Sequence, residues 1–432
     1  METLRVRMYN VRFGDAILVS VPDRDPATGE TVVRHVLVDV GNVLAGEGGE
    51  DTVFQPVLED VLSVLGGQPL DLYVMTHEHL DHVQGLLYAN DACYGGALKE
   101  RLKVRHSWLT ASAAPDYYER HPDAERQLQA RRALYDTIAR YCELSPASAS
   151  GAVPVFLRNN DYRRTGRCVE YLRGLADRTH YVHRELPLEG THPFKEARLE
   201  VWAPEEDTAT YSGPFLPLAL GLEEGGLHVP VPPAGVDASA FYGLIARRRQ
   251  ALGDNLLSID KAANNTSLVF SLEWRGWRLL FAGDAELRSW KTMKKHGVLK
   301  PVHFLKVSHH GSHNGTPDGD LFDAVLPPHP LDDRERRAVI SSHGGTYGGI
   351  PHEPTNLRLR SRCALSTTLD AGDRPYLDFL FEEVAAGQRV KPAPRVARPQ
   401  RSSSGTLRAP RVQSAAQVRR PPRGGGRRKR RT

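Results

Sequence analysis

The residues able to do chemistry gather first at 76–82, Thr76-His77-Glu78-His79-Leu80-Asp81-His82. They follow Leu72-Tyr73-Val74-Met75, an apolar run that reads as a buried strand. In extended chain, residues two apart point the same way, so His77 and His79 can grip one ion. Asp81 and His82 come after the strand has turned and can reach a second ion beside the first. Neutral imidazole and carboxylate are the ligands that zinc and similar metals take. Polar residues recur at three later strand ends: Asn264-Asn265-Thr266-Ser267, Gly283-Asp284, and Ser308-His309-His310-Gly311-Ser312-His313-Asn314. A carboxylate at Asp284 can lend one oxygen to each of two ions, and Gly283 lets the backbone turn sharply there.

This T-H-x-H-x-D-H cluster after a strand resembles the metallo-β-lactamase-fold hydrolase superfamily. Asn264-Asn265-x-Ser267-Leu268-Val269 and Lys306-Val307-Ser308-His309-His310-Gly311-Ser312 are similar to a narrower branch, the one containing the C-terminal hydrolase domain of bacterial DNA-uptake competence proteins. Tyr347-Gly348-x-x-Pro351-His352 loosely resembles that branch's Tyr-Gly-His-Pro loop. The likeness covers roughly residues 3–42, 70–110, 195–204 and 264–353.

The resemblance implies an α/β fold, an αββα sandwich, with helical and Gly/Pro-rich insertions. It implies two divalent metal ions, zinc or manganese, and a phosphodiesterase or nuclease working by a metal-bound hydroxide. The implied metal ligands are His77, His79, Asp81, His82, Asp284 and His310, with His309 the alternative to His310. Asp81 would also orient the water, and His352 would protonate the leaving group or touch a phosphate. Asn264, Asn265, Ser312 and Asn314 would hold phosphate oxygens, and Asp39 would support the metal-binding loop. One departure stands out. The superfamily usually carries a third histidine for the first ion just before the strand at 267–272. Here Asn264-Asn265 stand in that place, so Asn265 would be a weak oxygen ligand and that ion the weaker one. Two other functions stay open on the residues alone: a non-catalytic nucleic-acid- or partner-binding protein on the same fold, and a carboxylic or thioester hydrolase.

The elements that must position these residues follow from periodicity. Residues 3–9 and 15–21 alternate as a hairpin, and His35–Gly41 is a third strand. Residues 52–65 place Val53, Val57, Leu58, Val61, Leu62 and Leu65 on one helical face, which Gly66-Gly67 stops. Further strands are expected at 71–76, 104–109, 197–203, 267–272, 277–282, 302–307, 338–342 and 377–381. Helices are expected after 83, within 115–144, from 284 to about 295, and at 321–325. Residues 145–165 read as loop. Within the Gly/Pro-rich stretch 205–262, only 238–252 looks helical, and the stretch as a whole could cover the active site.

Of the 432 residues, 40% are hydrophobic and 25% charged, the composition of a globular domain. No run approaches the ~20 apolar residues needed to span a bilayer, and Met1–Arg7 lacks a signal-peptide core. The expected location is the cytoplasm, with no membrane partner. Cys93, Cys142, Cys168 and Cys363 show no paired spacing, so a disulfide framework or cysteine zinc site is not expected. The net charge of +5 conceals an asymmetry. Residues 384–432 hold 15 Lys and Arg and no acidic residue, leaving the remainder with ten more acids than bases. The expected organisation is a hydrolase domain over 1–383, with insertions at about 111–194 and 205–262. A disordered Arg-rich tail would follow over 384–432, able to bind nucleic acid or an acidic partner through phosphate charge.

Overall fold

The computed structural model describes residues 2–44, 53–88, 101–144, 153–212, 256–330, 332–344, 349–372 and 374–383. The helix expected at 238–252, the Tyr347-Gly348 part of the glycine loop, Cys93 and the tail 384–432 lie outside the described residues.

Two sheets form the centre. The first has seven strands in the order β13-β1-β2-β3-β4-β5-β6. These are β1 Thr3–Tyr9, β2 Ala16–Arg24, β3 Thr31–Val40, β4 Leu70–Val74, β5 Val104–Thr110, β6 Ala176–Val182 and β13 Tyr376–Glu382. The second has six in the order β12-β11-β10-β9-β8-β7. These are β7 Arg198–Ala203, β8 Val269–Trp274, β9 Trp277–Phe281, β10 Phe304–Lys306, β11 Arg337–Ile340 and β12 Ala364–Thr367. Each sheet is antiparallel at one side and parallel at the other. In the first, β13, β1, β2 and β3 pair antiparallel and β3 to β6 parallel. In the second, β7 to β9 pair antiparallel and β9 to β12 parallel.

Alternation explains the layering. In β3 and β4, Val36, Val38, Leu72 and Val74 point into a core shared with Phe270, Leu279 and Phe304 of the second sheet. Their neighbours Leu37, Val40 and Tyr73 point outward, against Val57 and Val61 of α1 (Gln55–Leu65) and Leu86 of α2 (Leu80–Tyr88). The second sheet does the same. Leu279 and Phe281 face inward, while Leu280 faces Trp290 and Met293 of a helix over Leu287–Lys295. Strands covered on both faces read as continuous apolar runs, and here they do. The layers are helix, sheet, sheet, helix, the αββα sandwich expected from the resemblance. Trp108, Phe270, Phe281 and Phe304 sit in the shared core. Burying one such ring is worth roughly 4–6 kcal/mol by area, so the strand ends that carry the candidate site are firmly held.

Several elements differ from expectation. Of 145–165, expected as loop, most of the described part is helical: α4 (Val153–Asn159) and α5 (Tyr162–Arg173) follow the long α3 (Pro122–Leu144). Asp161 caps α5, its carboxylate accepting from the backbone N–H of Arg163 at 3.0 Å. The stretch 111–194 also supplies β6, the edge strand paired with β5. Of 205–262, the described part includes a helical run from 256 that continues to 264. Beyond β10 lie α6 (Leu287–Lys295, the helix already met), α7 (Gly319–Val325) and α8 (Glu353–Arg360). No helix among the described residues is long and apolar enough to cross a membrane.

Candidate metal centre

The centre forms where β3, β4, β9 and β10 end at the same edge of the sandwich. β4 stops at Val74, so His77 and His79 stand on the loop that leads into α2 rather than on the strand itself. The loop is held by Asp39, at the end of β3. Its carboxylate accepts from the Thr76 N–H at 2.8 Å, the Thr76 hydroxyl at 2.6 Å and His82 Nδ1 at 2.8 Å. With Nδ1 so engaged, His82 must present Nε2 to the site, which is how an outer carboxylate fixes the tautomer of a metal ligand. Gly41 makes the approach possible. A Cβ there would stand 2.2 Å from the Asp81 carbonyl carbon and the His82 nitrogen, so no other residue fits without moving the α2 start.

His309 and His310 follow β10 with positive φ at both, 48° and 51°. Left-handed backbone in two consecutive non-glycine residues costs about 1–2 kcal/mol each. The effect is to split the pair. His310 Nδ1 donates to the Ser341 carbonyl at 3.0 Å, leaving Nε2 aimed inward. His309 turns the other way, toward Asn264 at 3.3 Å and Glu286 at 3.4 Å.

Asp81, His82, Asp284 and His310 thereby converge, all at 1% exposure or less. His310 Nε2 lies 3.1 Å from Asp81 Oδ2 and 3.3 Å from Asp284 Oδ2. His82 Nε2 lies 3.4 Å from Asp284 Oδ2 and 3.7 Å from Asp81 Oδ1. Ligands at ~2.1 Å in a tetrahedron around one ion would be about 3.4 Å apart. His82 Nε2 and Asp81 Oδ1 are moreover buried without a hydrogen-bond partner. Orphaned buried polar atoms are rare, and these two lie 3.7 Å apart. The donor set fits a divalent cation.

Electrostatics agree. Burial disfavours a charged His82, yet Asp284, Asp81 and Asp39 raise its pKa well above the ordinary value. Burial likewise opposes a charged His310, but Asp284 and Asp81 push it up to about 10. Burial alone would raise the Asp284 carboxyl; His310, His82 and Lys306 hold it well below the usual range. The carboxylates favour positive charge at this spot, and a divalent ion bound by the same atoms would supply it while displacing protons.

The second half of the centre is different. His77 Nε2 and His79 Nδ1 lie 3.0 Å apart, facing one another as a chelating pair would. Asn160 holds His79 from behind, its Oδ1 3.0 Å from Nε2. Burial and the neighbouring His82 and His79 keep the His77 pKa well below its ordinary value. Asn265, expected as a weak ligand here, is turned away. Its amide donates to the Lys261 carbonyl at 2.8 Å and accepts the Ser289 N–H at 3.1 Å, so it ties down the start of α6. Asp284 does not offer one oxygen to each of two ions either. Oδ2 faces the four-residue cluster, while Oδ1 takes the His309 N–H at 3.2 Å and Lys306 Nζ at 3.4 Å. Lys306, 1% exposed, also pairs with Asp15 and donates to the Gly283 carbonyl at 3.0 Å.

The remaining expected residues divide. Ser312, Asn314 and His352 line a cavity of about 300 Å³ in front of the centre, as do His79, Asp81, Asp284 and His310. His352 precedes α8, its Nδ1 2.9 Å from the Thr355 hydroxyl. Asn264 does not line that cavity; it is fully buried, and its amide nitrogen donates to Asp260 at 3.1 Å and Glu286 at 3.0 Å. Asp260, Glu286 and His309 form a further carboxylate–imidazole group on the cavity wall. Asp15, Lys306, Asn160, Asp260 and Glu286 were missed as site residues. Lys306 stands inside a motif singled out above and Glu286 two residues beyond Asp284; Asn160 and Asp260 lie in the stretches expected to be insertions.

No family model and no curated protein matches the chain. Among solved structures, a long-form RNase Z from yeast is similar, at 10% sequence identity and a TM-score of 0.30. The match covers 79% of this chain and 37% of that one.

Proposed function

We propose that the chain is a metal-dependent hydrolase whose principal ion is held by Asp81, His82, Asp284 and His310, and that it cleaves phosphodiesters of nucleic acid or nucleotides. The observation that carries this reading is the set of four buried donors within 4.8 Å of one another, two of whose atoms are unpartnered. A divalent ion bound there would act as a Lewis acid that lowers the pKa of water and neutralises developing charge. Zinc suits two imidazoles and two carboxylates, and manganese is the alternative. The protein's own groups supply the rest. Asp81, with Oδ1 free of hydrogen bonds, is placed to orient the attacking water. His352, across the cavity, is the candidate proton donor to the leaving group. Ser312 and Asn314 are donors for phosphate oxygens, whereas Asn264 and Asn265 act through the scaffold. His77 and His79 would hold a second, weaker ion. The Arg-rich stretch 384–432 supports the choice of phosphodiester, since Arg/Gly segments bind phosphate backbones without reading sequence.

Metal content of the purified protein, measured with hydrolysis of bis(p-nitrophenyl) phosphate and of single- and double-stranded DNA and RNA, tests the proposal. Asp81→Ala should abolish turnover. A protein that binds no divalent metal, or an Asp81→Ala variant that keeps its activity, would sink the reading. Deleting 384–432 should weaken nucleic-acid binding and spare the small diester; equal loss of both would sever the tail from the assigned role.

A further inference from the structure

A second pocket lies behind His79. It encloses about 80 Å³, and its walls include His79, Asn160, Ser112, Tyr118, Arg131 and Arg132. The two arginines come from adjacent positions of α3, in the stretch outside the family resemblance. Each has its Nε–H buried with no acceptor. Neither pairs with a carboxylate among the described residues. Of the nearby carboxylates, Asp136 is bound elsewhere and Glu78 lines the pocket itself. Asp136, one turn on from Arg132, is bound by Arg163 at 2.8 Å and the Tyr162 hydroxyl at 2.9 Å. Glu78 accepts from the Ser112 hydroxyl at 3.3 Å. Arg132 is kept in place by stacking over Tyr162, 5.0 Å from the ring centroid.

A buried Nε–H without an acceptor is costly, and two such donors in one pocket make a site for an anion. At about 10–15 Å³ for each water centre the pocket takes several waters, ample room for one tetrahedral oxyanion. We infer that this pocket binds a single phosphate group of the substrate, one not undergoing cleavage, beside the ion-binding loop. The inference rests on the phosphodiester reading for the identity of the ligand, but the anion site itself does not need the protein to be an enzyme.

The test is chemical modification of the full-length, metal-loaded protein. Phenylglyoxal should label Arg131 and Arg132, located by peptide mass spectrometry. Inorganic phosphate and thymidine 5′-monophosphate should each slow that labelling about tenfold or more, the loss of one charge-assisted contact in reverse. Calorimetry with the same two ligands should show Arg131→Gln/Arg132→Gln binding at least about tenfold more weakly, and Arg131→Lys/Arg132→Lys recovering part of it. Absence of protection by both ligands would overturn the anion site, whatever the variants do. Protection by inorganic phosphate alone would overturn the assignment to a substrate phosphate. Because neither readout involves hydrolysis, an inactive protein that still shows protection would count against the enzyme reading and not against the pocket.

Discussion

The two halves of the candidate centre are built from the same residue types to opposite effect. At Asp81, His82, Asp284 and His310, two carboxylates stand within 3.7 Å of two imidazoles, and both imidazoles are driven toward the charged form. At His77 and His79, two imidazoles face each other at 3.0 Å with an amide behind, and His77 is driven toward the neutral form. Both halves are buried, so burial does not set the difference. Carboxylate placement does. The half with four donors can hold an ion unaided. Beside the half with two, the nearest ion-pair carboxylate is Asp260, 3.9 Å from His79 Nε2.

The sharpest way to break this contrast is to remove one imidazole from each half. His82→Ala should empty the four-donor half and lower kcat/KM by roughly a thousandfold, about 4 kcal/mol of transition-state stabilisation. His79→Ala should leave one ion bound. Metal analysis after gel filtration separates the two, and a His79→Ala protein stripped of all metal would show that the halves are not independent. A smaller effect is expected from Asp39→Asn. It preserves shape but weakens the hold on His82 Nδ1, so affinity in a chelator competition should fall about 10- to 100-fold in the four-donor half. Asn160→Ala should do the same to the His79 side, by about tenfold, and leave the tighter ion where it was.

How much of this was legible depended on whether a residue's role was set locally. The T-H-x-H-x-D-H run, Gly283-Asp284 and His309-His310 sit at strand ends where apolar alternation stops, so they stand out in the chain, and the sandwich follows from the resemblance they carry. Strands β6 and β12 could not. They are sheet edges, half exposed, and Ala-Asp-Arg-Thr-His-Tyr-Val carries no apolar run to mark it. Helix α5 is hidden because its buried Thr165, Cys168, Val169 and Leu172 are matched in number by arginines and interrupted by Gly166. The division of His309 from His310 depends on two left-handed residues. The turning away of Asn265 depends on a partner 24 positions later. Neither can be inferred from spacing, because each is decided by what the rest of the fold brings alongside.

The smallest predicted effect carries the carboxylate argument outside the centre. His192 is half-buried near Trp108 and Phe194, with ring centroids 5.8 Å from each, and its Nδ1 is buried with no hydrogen-bond partner. Burial first, then the positive charge of neighbours such as Lys195, brings its pKa down to about 4 from the ordinary 6.5. The folded state therefore holds fewer protons than the unfolded chain between those values. His192 contributes its full share of stability above pH 6.5 and loses it as the pH falls toward 4. The loss is at most about 3 kcal/mol at the acid end. Urea denaturation at pH 7.5 and pH 5 should show wild type weakening more than His192→Phe, which has no proton to take up. Equal slopes for the two would mean that apolar burial does not keep this histidine neutral, and the contrast with His82 and His310 would lose its reference.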